Sequence, residues 1–248
     1  MPDTVVCLQH GAFRRCYLLR AVTAPGCRQF GIKVFEACCS LTQIGATNHT
    51  TNQLAPQAQF RPRAFEKCTA LRHLNLETTE YDPTNPNRCL PECCFLEAGI
   101  VSLSLPPDFT WVGPAACERC QQLQTVDLSR TDIIEILGST FAHCSQLQQL
   151  RLSNNLRRIE REAFLQCASL RDICIPQPSL LYIARRAFAG CTQLRTFYKA
   201  GKSTTWRGTY ARVNAFDKCE QLDKPAWLRF LPLNAKDKWR EDFTEAVR

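Results

Sequence analysis

Sixteen cysteines are the residues of this 248-residue chain that could most readily do chemistry. The segment Cys117-Glu118-Arg119-Cys120 is a C-x-x-C motif, and Cys89, Cys93 and Cys94 could add the further thiolates that a structural zinc site needs. Disulfides between neighbouring or equivalent cysteines are a second possibility. The favoured interpretation is that most of them are buried free thiols, because free cysteine packs as a small hydrophobic side chain.

Other motifs with catalytic potential are incomplete. Gly201-Lys202-Ser203 resembles the end of a phosphate-binding loop, but Thr196 stands where that loop requires a glycine. The four histidines are scattered, without H-E-x-x-H, and the chain contains neither G-x-S-x-G nor G-x-G-x-x-G. We therefore expect no enzymatic activity, no cofactor and no catalytic metal.

A repeat explains most of these positions. Ala64-Phe65-Glu66-Lys67-Cys68-Thr69-Ala70-Leu71 has the form A-F-x-x-C-x-x-L, which recurs with a basic period of 23 to 24 residues. Its Phe slot falls at residues 13, 35, 65, 94, 117, 141, 164, 188 and 216, with Cys94 and Cys117 as degenerate members. Such a period predicts an array of about nine similar units.

Each unit combines two hydrophobic periods. Phe, Cys and Leu stand three residues apart, which predicts a turn of helix, and the following L-x-L alternation predicts a short strand. A unit this small cannot bury its apolar side chains alone, so the units must stack. The expected fold class is an α/β repeat solenoid with a parallel strand ladder and short helical turns.

The residues Leu156 to Pro176, which fit I-x-x-I-x-x-x-A-F-x-x-C-x-x-L-x-x-I-x-I-P, resemble the BspA-type class of leucine-rich repeats. The resemblance spans about residues 9–225 and implies a curved right-handed solenoid with strands on its concave face. For function it implies protein binding, in surface adhesins among others. Eight cysteines occupy the Cys slot of the repeat: Cys16, Cys38, Cys68, Cys120, Cys144, Cys167, Cys191 and Cys219. Thiols in the core favour a reducing compartment.

The organisation predicted along the chain is a solenoid over residues 1–225, with insertions near 45–60, 77–90 and 199–212. A capping helix is expected within 226–248, where Asn234 can cap a helix that places Ala235, Trp239, Phe243 and Val247 on one face. No apolar run is long enough to span a membrane. The N-terminal residues do not read as a signal peptide, so an intracellular location is expected.

Candidate partner-binding residues follow from the strand alternation, since outward positions lie beside the inward L-x-L residues. They are His73, Asn75, Ser102, Ser104, Thr125, Asp127, Gln149, Arg151, Asp172, Cys174, Thr196 and Tyr198. A solvated sheet face with no partner would show the same polarity. Solenoids nevertheless present such faces to other proteins, which favours a binding role.

The net charge of +8 conceals an uneven distribution: residues 1–76 carry +6, 77–135 carry −7 and 151–212 carry +9. Arg20, Arg72, Arg171 and Arg195 each follow the Leu of the repeat directly and could stack along one edge. That edge predicts an acidic protein partner, or otherwise a solvated flank. Nucleic acid is disfavoured, because only Lys199 to Arg212 interleaves basic and aromatic residues.

The sequence thus predicts a non-enzymatic, intracellular scaffold that binds another protein through its strand face or its insertions. Two alternatives remain open. One is a surface or secreted adhesin of the same repeat class, which would carry oxidised cysteines. The other is the recognition part of a larger multidomain protein, such as a ligase adaptor.

Overall fold

The computed structural model of the chain describes residues 4–45, 54, 58–76, 88–107, 109–175, 181–199, 209–223 and 228–231. Its elements are short strands: β1 (Cys7–Leu8), β2 (Ala21–Thr23), β3 (Gln29–Phe30), β4 (Gln43–Gly45), β5 (Gln59–Phe60), β6 (Arg88–Leu90), β7 (Ser102–Ser104), β8 (Phe109–Val112), β9 (Thr125–Asp127), β10 (Glu135–Ile136), β11 (Gln149–Arg151), β12 (Arg158–Ile159), β13 (Asp172–Ile175), β14 (Leu181–Ile183), β15 (Thr196–Lys199), β16 (Thr209–Arg212) and β17 (Leu228–Leu231). All pairs between them are parallel, as a solenoid requires.

The predicted strand ladder is present. Strands β7, β9, β11, β13 and β15 form a five-stranded sheet in chain order, which we call the main ladder, and β2 pairs with β4 in the same way near the N-terminus. The first apolar residue of the L-x-L motif in each main-ladder strand points into the core and is at most 6% exposed. These residues are Leu103, Val126, Leu150, Ile173 and Phe197. The period-two alternation therefore positions every second side chain outward.

A second ladder runs along the other side of the repeats. It comprises β1-β3-β5, β6-β8 and β10-β12-β14-β16-β17, so a complete unit contains two strands rather than one. Its inward residues close the core opposite the main ladder: Phe30, Phe60, Leu90, Val112, Ile136, Ile159, Ile183 and Ala211. The last residues of the three predicted insertions are strands of this ladder, and residues 46–53, 55–57, 77–87 and 200–208 lie outside the described residues.

The A-F-x-x-C segment is not helical, which corrects the prediction of short helical turns; the described residues contain no helix. Its N–H groups alternate between two kinds of acceptor. Glu36 and Cys38 donate to carbonyls three residues earlier, whereas Phe35 donates to Ala64 and Ala37 to Glu66 in the next unit. The residues two before and two after the Phe slot are left-handed, for example Lys33 (φ 56°) and Ala37 (φ 60°), which an α-helix forbids. We call these pieces turn segments.

The Phe slots stack along the array. Phe13, Phe35, Phe65 and Phe95 form one stack and Phe141, Phe164, Phe188 and Phe216 another, with neighbouring ring centroids 5.1–5.6 Å apart. Cys117 stands between the two stacks, in the Phe slot as predicted, because its N–H donates to Thr140 as the other Phe-slot residues donate to the next unit.

Cys94, however, does not occupy the Phe slot, contrary to the sequence assignment. Its carbonyl accepts from Phe65 N at 2.8 Å, the bond that Ala64 accepts from Phe35, so Cys94 takes the Ala slot and Phe95 the Phe slot. Ala98 then occupies the Cys slot. Ile100, only 1% exposed, takes the Leu slot one residue earlier than in the other units. This unit is therefore one residue short between its Phe and Leu slots.

The shortened unit draws Gly99 against its neighbour, where a Cβ atom would lie 2.1 Å from the Thr69 carbonyl oxygen. We expect Gly99→Ala to destabilise the fold by about 1–3 kcal/mol, because the backbone must move to relieve the overlap. Gly138→Ala is the matched control, since its Cβ would meet only the Arg161 oxygen at 3.3 Å. Urea unfolding followed by circular dichroism measures both; equal losses would contradict the close approach as the cause.

The predicted boundary of the array at residue 225 lies just before the last described strand. Strand β17 (Leu228–Leu231) pairs with β16 over four residues and continues the second ladder into the predicted capping region. The predicted capping helix with Ala235, Trp239, Phe243 and Val247 lies outside the described residues. The described part of the chain contains no helix that is long and apolar enough to cross a membrane.

Candidate functional site

The outward side chains of the main ladder fall into two parallel rows. The register of the strands aligns Ser102, Thr125, Gln149, Asp172 and Thr196 in the first row, and Ser104, Asp127, Arg151, Cys174 and Tyr198 in the second. All are at least partly exposed, in contrast with the buried residues between them. The structure thus brings together the predicted face residues of these five strands; we call this surface the ladder face.

His73 and Asn75 lie one unit before the ladder face. Val101 donates to the Arg72 carbonyl at 2.9 Å just as Gln124 donates to Val101 at 2.8 Å, which places His73 and Asn75 in line with Ser102 and Ser104. Both are exposed, but the five-stranded sheet ends at β7 and does not include them. They form an extension of the ladder face instead of part of its sheet.

The centre of the ladder face carries a polar network. Asp127 Oδ1 accepts hydrogen bonds from the Ser129 backbone N–H at 2.9 Å and from Ser129 Oγ at 2.6 Å, while Arg151 Nη1 lies 3.4 Å from Asp127 Oδ2. Partial burial opposes ionisation of Asp127, but these hydrogen bonds and the charge of Arg151 outweigh it and lower the pKa of the carboxyl. Further along, Thr196 Oγ1 donates to Asp172 Oδ1.

Two side chains of the second row extend into solvent beyond this network. Arg151 has 74% of its side chain exposed, and Tyr198 is 49% exposed although it is large and partly apolar. Arginine and tyrosine are among the residue types that contribute most to protein interfaces. The ladder face therefore combines an ordered polar centre with two exposed side chains suited to contact.

The predicted basic edge is only partly continuous. Arg171 Nε donates to Gln193 Oε1 at 3.3 Å and Arg195 Nε to Gln221 Oε1 at 3.2 Å, and the two arginines are adjacent because Arg195 N donates to Arg171 O. Between Arg72 and Arg171, however, the same row carries uncharged residues: Val101, Gln124 and Gln148. The positive charge is thus concentrated at Arg171 and Arg195 and does not extend along the whole edge.

The second ladder differs because some of its outward side chains are buried against one another. Arg212 Nε donates to the Tyr182 hydroxyl at 3.1 Å, the Arg158 guanidinium lies 5.8 Å from the Tyr182 ring centre, and Tyr210 packs against the same tyrosine. Tyr182 is 6% and Arg212 8% exposed. The sequence analysis missed this cluster, because Tyr182 and Tyr210 lie in strands too short for their alternation to be recognised.

All sixteen cysteines are free thiols, and eleven of them are buried. Seven Cys-slot thiols donate to the carbonyl of the preceding Phe slot at 2.9–3.2 Å: Cys38, Cys68, Cys120, Cys144, Cys167, Cys191 and Cys219. The Cys slot is therefore a hydrogen-bonding position as well as an apolar one. Cys16 is exposed, contrary to the expected core position. Within the described part of the chain, no three His, Cys, Asp or Glu side chains gather as metal ligands.

Burial keeps these seven hydrogen-bonded Cys-slot thiols, which we call the thiol ladder, protonated. It raises the pKa of Cys38 to about 11 and that of Cys167 to about 12, and it raises the pKa of Cys144 well above its usual value. The thiols therefore stay protonated and keep donating their S–H groups to the Phe-slot carbonyls. Such thiols are poor nucleophiles and poor metal ligands, because both roles need the thiolate.

Comparison with known proteins agrees with this architecture. The family model of the BspA type leucine rich repeat region matches residues 1–85 and 88–223 in six copies. A leucine-rich repeat protein from Bacteroides ovatus is similar in structure, with 18% identity, 94% of this chain and 77% of that chain covered, and a TM-score of 0.51. The T. pallidum leucine rich repeat protein has 20% identity, 78% and 76% coverage, and a TM-score of 0.55. No curated protein has a significantly similar sequence. On the extent of the family match, the chain belongs to the BspA-type leucine-rich repeat family.

Proposed function

We propose that the chain is a non-enzymatic scaffold that binds another protein through the ladder face. The observation that carries this proposal is the placement of Arg151 and Tyr198 in one exposed row, above a core of buried inward residues. A partner that covered this row would bury both side chains and could pair an acidic group with Arg151. The opposite ladder supports the choice of face, because Arg158, Tyr182 and Arg212 already contact one another there.

The proposal also has an electrostatic component. Arg171 and Arg195 stand on the flank of the same strands, so the late part of the ladder face is bordered by positive charge. Positive borders accelerate association with acidic partners and do so less at high salt. We therefore infer an acidic protein partner. The sixteen free thiols support a reducing compartment for this encounter, since such thiols persist where disulfides do not form.

Replacing Arg151 and Tyr198 by alanine is expected to lower affinity for a protein partner by about tenfold or more, the loss typical of interface hot spots. Arg161→Ala is the matched control: its side chain is 68% exposed and also pairs with a carboxylate at 3.3 Å, but it lies on a turn segment. The immobilised chain and its variants are used to recover partners from the source cell extract, and binding of the recovered protein is then measured by calorimetry. Equal recovery by all three proteins would contradict the ladder face as the binding surface.

A further inference from the structure

A notch of about 410 Å³ opens on the flank of the solenoid at the unit that is one residue short. The preceding unit lines it with Thr69 and Arg72, and the following unit lines it with Arg119 and Gln122. Glu97 and Gly99 of the short unit lie between them. Its volume lies within the range of about 300–1,000 Å³ that is usual for ligand pockets.

Arg72, which lines the notch, has a different partner from the equivalent arginines of two later units. In two later units the residue before the Leu slot is a glutamine, and its side chain accepts a hydrogen bond from the arginine of the preceding unit: Gln193 with Arg171, and Gln221 with Arg195. In the short unit this position is Gly99. Arg72 Nη1 donates to the Gly99 carbonyl oxygen at 3.2 Å instead. The Arg72 guanidinium is therefore held by a backbone carbonyl and not by a glutamine side chain.

The charges around the notch favour an anion. Glu97 and Arg119 occupy the same left-handed position of two successive turn segments, and both line the notch. Arg119 pairs with Glu118 only at 3.6 Å and keeps 55% of its side chain exposed, which makes that pair weak. With Arg72 added, the basic groups of the notch outnumber the acidic ones.

We propose that the notch binds the carboxylate of an acidic side chain, with Arg72 as its principal ligand and Arg119 as the second. Arginine suits this role because its planar fork binds carboxylates through two parallel hydrogen bonds. Arg72 directly precedes His73, which extends the ladder face, so a protein lying on that face can insert an acidic side chain into the notch. In this form the inference rests on the proposed function and adds an acidic residue to the partner.

The experiment uses blocked tripeptides as probes, so it does not require the partner. N-acetyl-Gly-Glu-Gly-amide is titrated into the isotopically labelled full chain, and the backbone amide signals of Ala98 and Gly99 are followed by NMR. We expect saturable shifts in the millimolar range. Arg72→Gln should weaken binding about tenfold, because it removes a charge-assisted hydrogen bond. Arg195→Gln is the matched control, since that arginine has the same slot but donates to the Gln221 side chain and lies outside the notch.

Three results would overturn the proposal. Equal shifts with the Gly-Gln-Gly peptide would show that no carboxylate is recognised, and binding only to a peptide with a free C-terminal carboxylate would exclude the side chain as its source. Equal weakening by Arg195→Gln would show a general charge effect. If the notch fails in these ways while replacing Arg151 and Tyr198 by alanine still lowers affinity for the partner, the proposed function stands without it.

Discussion

Replacing Phe164 by alanine is expected to lower the free energy of unfolding by about 3–5 kcal/mol, the usual cost of removing a fully buried phenylalanine. Phe164 is 0% exposed and stacks on two neighbours, with ring centroids 5.4 Å from Phe141 and 5.1 Å from Phe188. The cavity would therefore open between two units. Because a solenoid is stabilised mainly by contacts between neighbouring units, the loss should also divide the array into parts that unfold separately.

Phe13→Ala is the matched control for this prediction. Phe13 occupies the same slot in the first unit, is only partly buried and stacks on a single neighbour, Phe35, at 5.5 Å. Its loss should cost clearly less and leave one cooperative transition. Urea unfolding measured by circular dichroism and by fluorescence gives both quantities, since separate unfolding of parts appears as transitions that do not coincide. Equal losses for the two variants would contradict the stacked core as the source of stability.

The sequence was sufficient to predict the parallel ladder and the ladder face, because both follow from residue alternation repeated many times. Leu103 and Ile173 had to be inward and their neighbours outward in any stacked arrangement, and the register follows from the period. The second ladder could not be recognised in the same way. Its strands contain as few as two residues, such as Arg158–Ile159, and alternation over two residues is not a pattern.

The turn segments show a different limit. A spacing of three between Phe, Cys and Leu fits a helical turn, and it equally fits successive turns whose remaining N–H groups bond to the next unit. The choice depends on hydrogen bonds between units, such as Phe35 to Ala64, which no single repeat reveals. The same dependence explains Cys16. Among the described residues no Phe-slot carbonyl precedes it, and it is exposed.

In the short unit the Phe-slot residue predicted from the sequence is wrong by one position. Counting back from Ile100 placed Cys94 in the Phe slot, whereas the backbone hydrogen bond between Phe65 and Cys94 places Phe95 there. A single missing residue is invisible when two adjacent residues, cysteine and phenylalanine, are both acceptable in a buried slot. The same missing residue produces the close approach at Gly99 and the notch beside Arg72.

The second large effect that we expect is a difference in reactivity between buried and exposed cysteines. In the folded protein, iodoacetamide is expected to modify at most the five thiols that are not buried, and to modify the eleven buried ones only as fast as the chain unfolds. The exposed thiols of Cys16 and Cys39 should react first, followed by the half-buried Cys7, Cys89 and Cys174. Both burial and protonation protect the rest, since burial raises the pKa of Cys167 to about 12 and the thiolate is the reactive form.

Intact-mass spectrometry counts the modified thiols over time, with a sample in strong denaturant as the control that should reach all sixteen without any reductant. Fewer than sixteen in denaturant would reveal disulfides in the isolated protein and favour the surface or secreted alternative, because oxidised cysteines belong to oxidising compartments. Fast modification of buried thiols such as Cys144 or Cys191 in the folded chain would contradict the thiol ladder itself, because their S–H groups are assigned to the Cys117 and Phe164 carbonyls.

Phe164→Ala should accelerate modification of Cys167 and Cys191 more than that of Cys38, since the cavity lies in their part of the array.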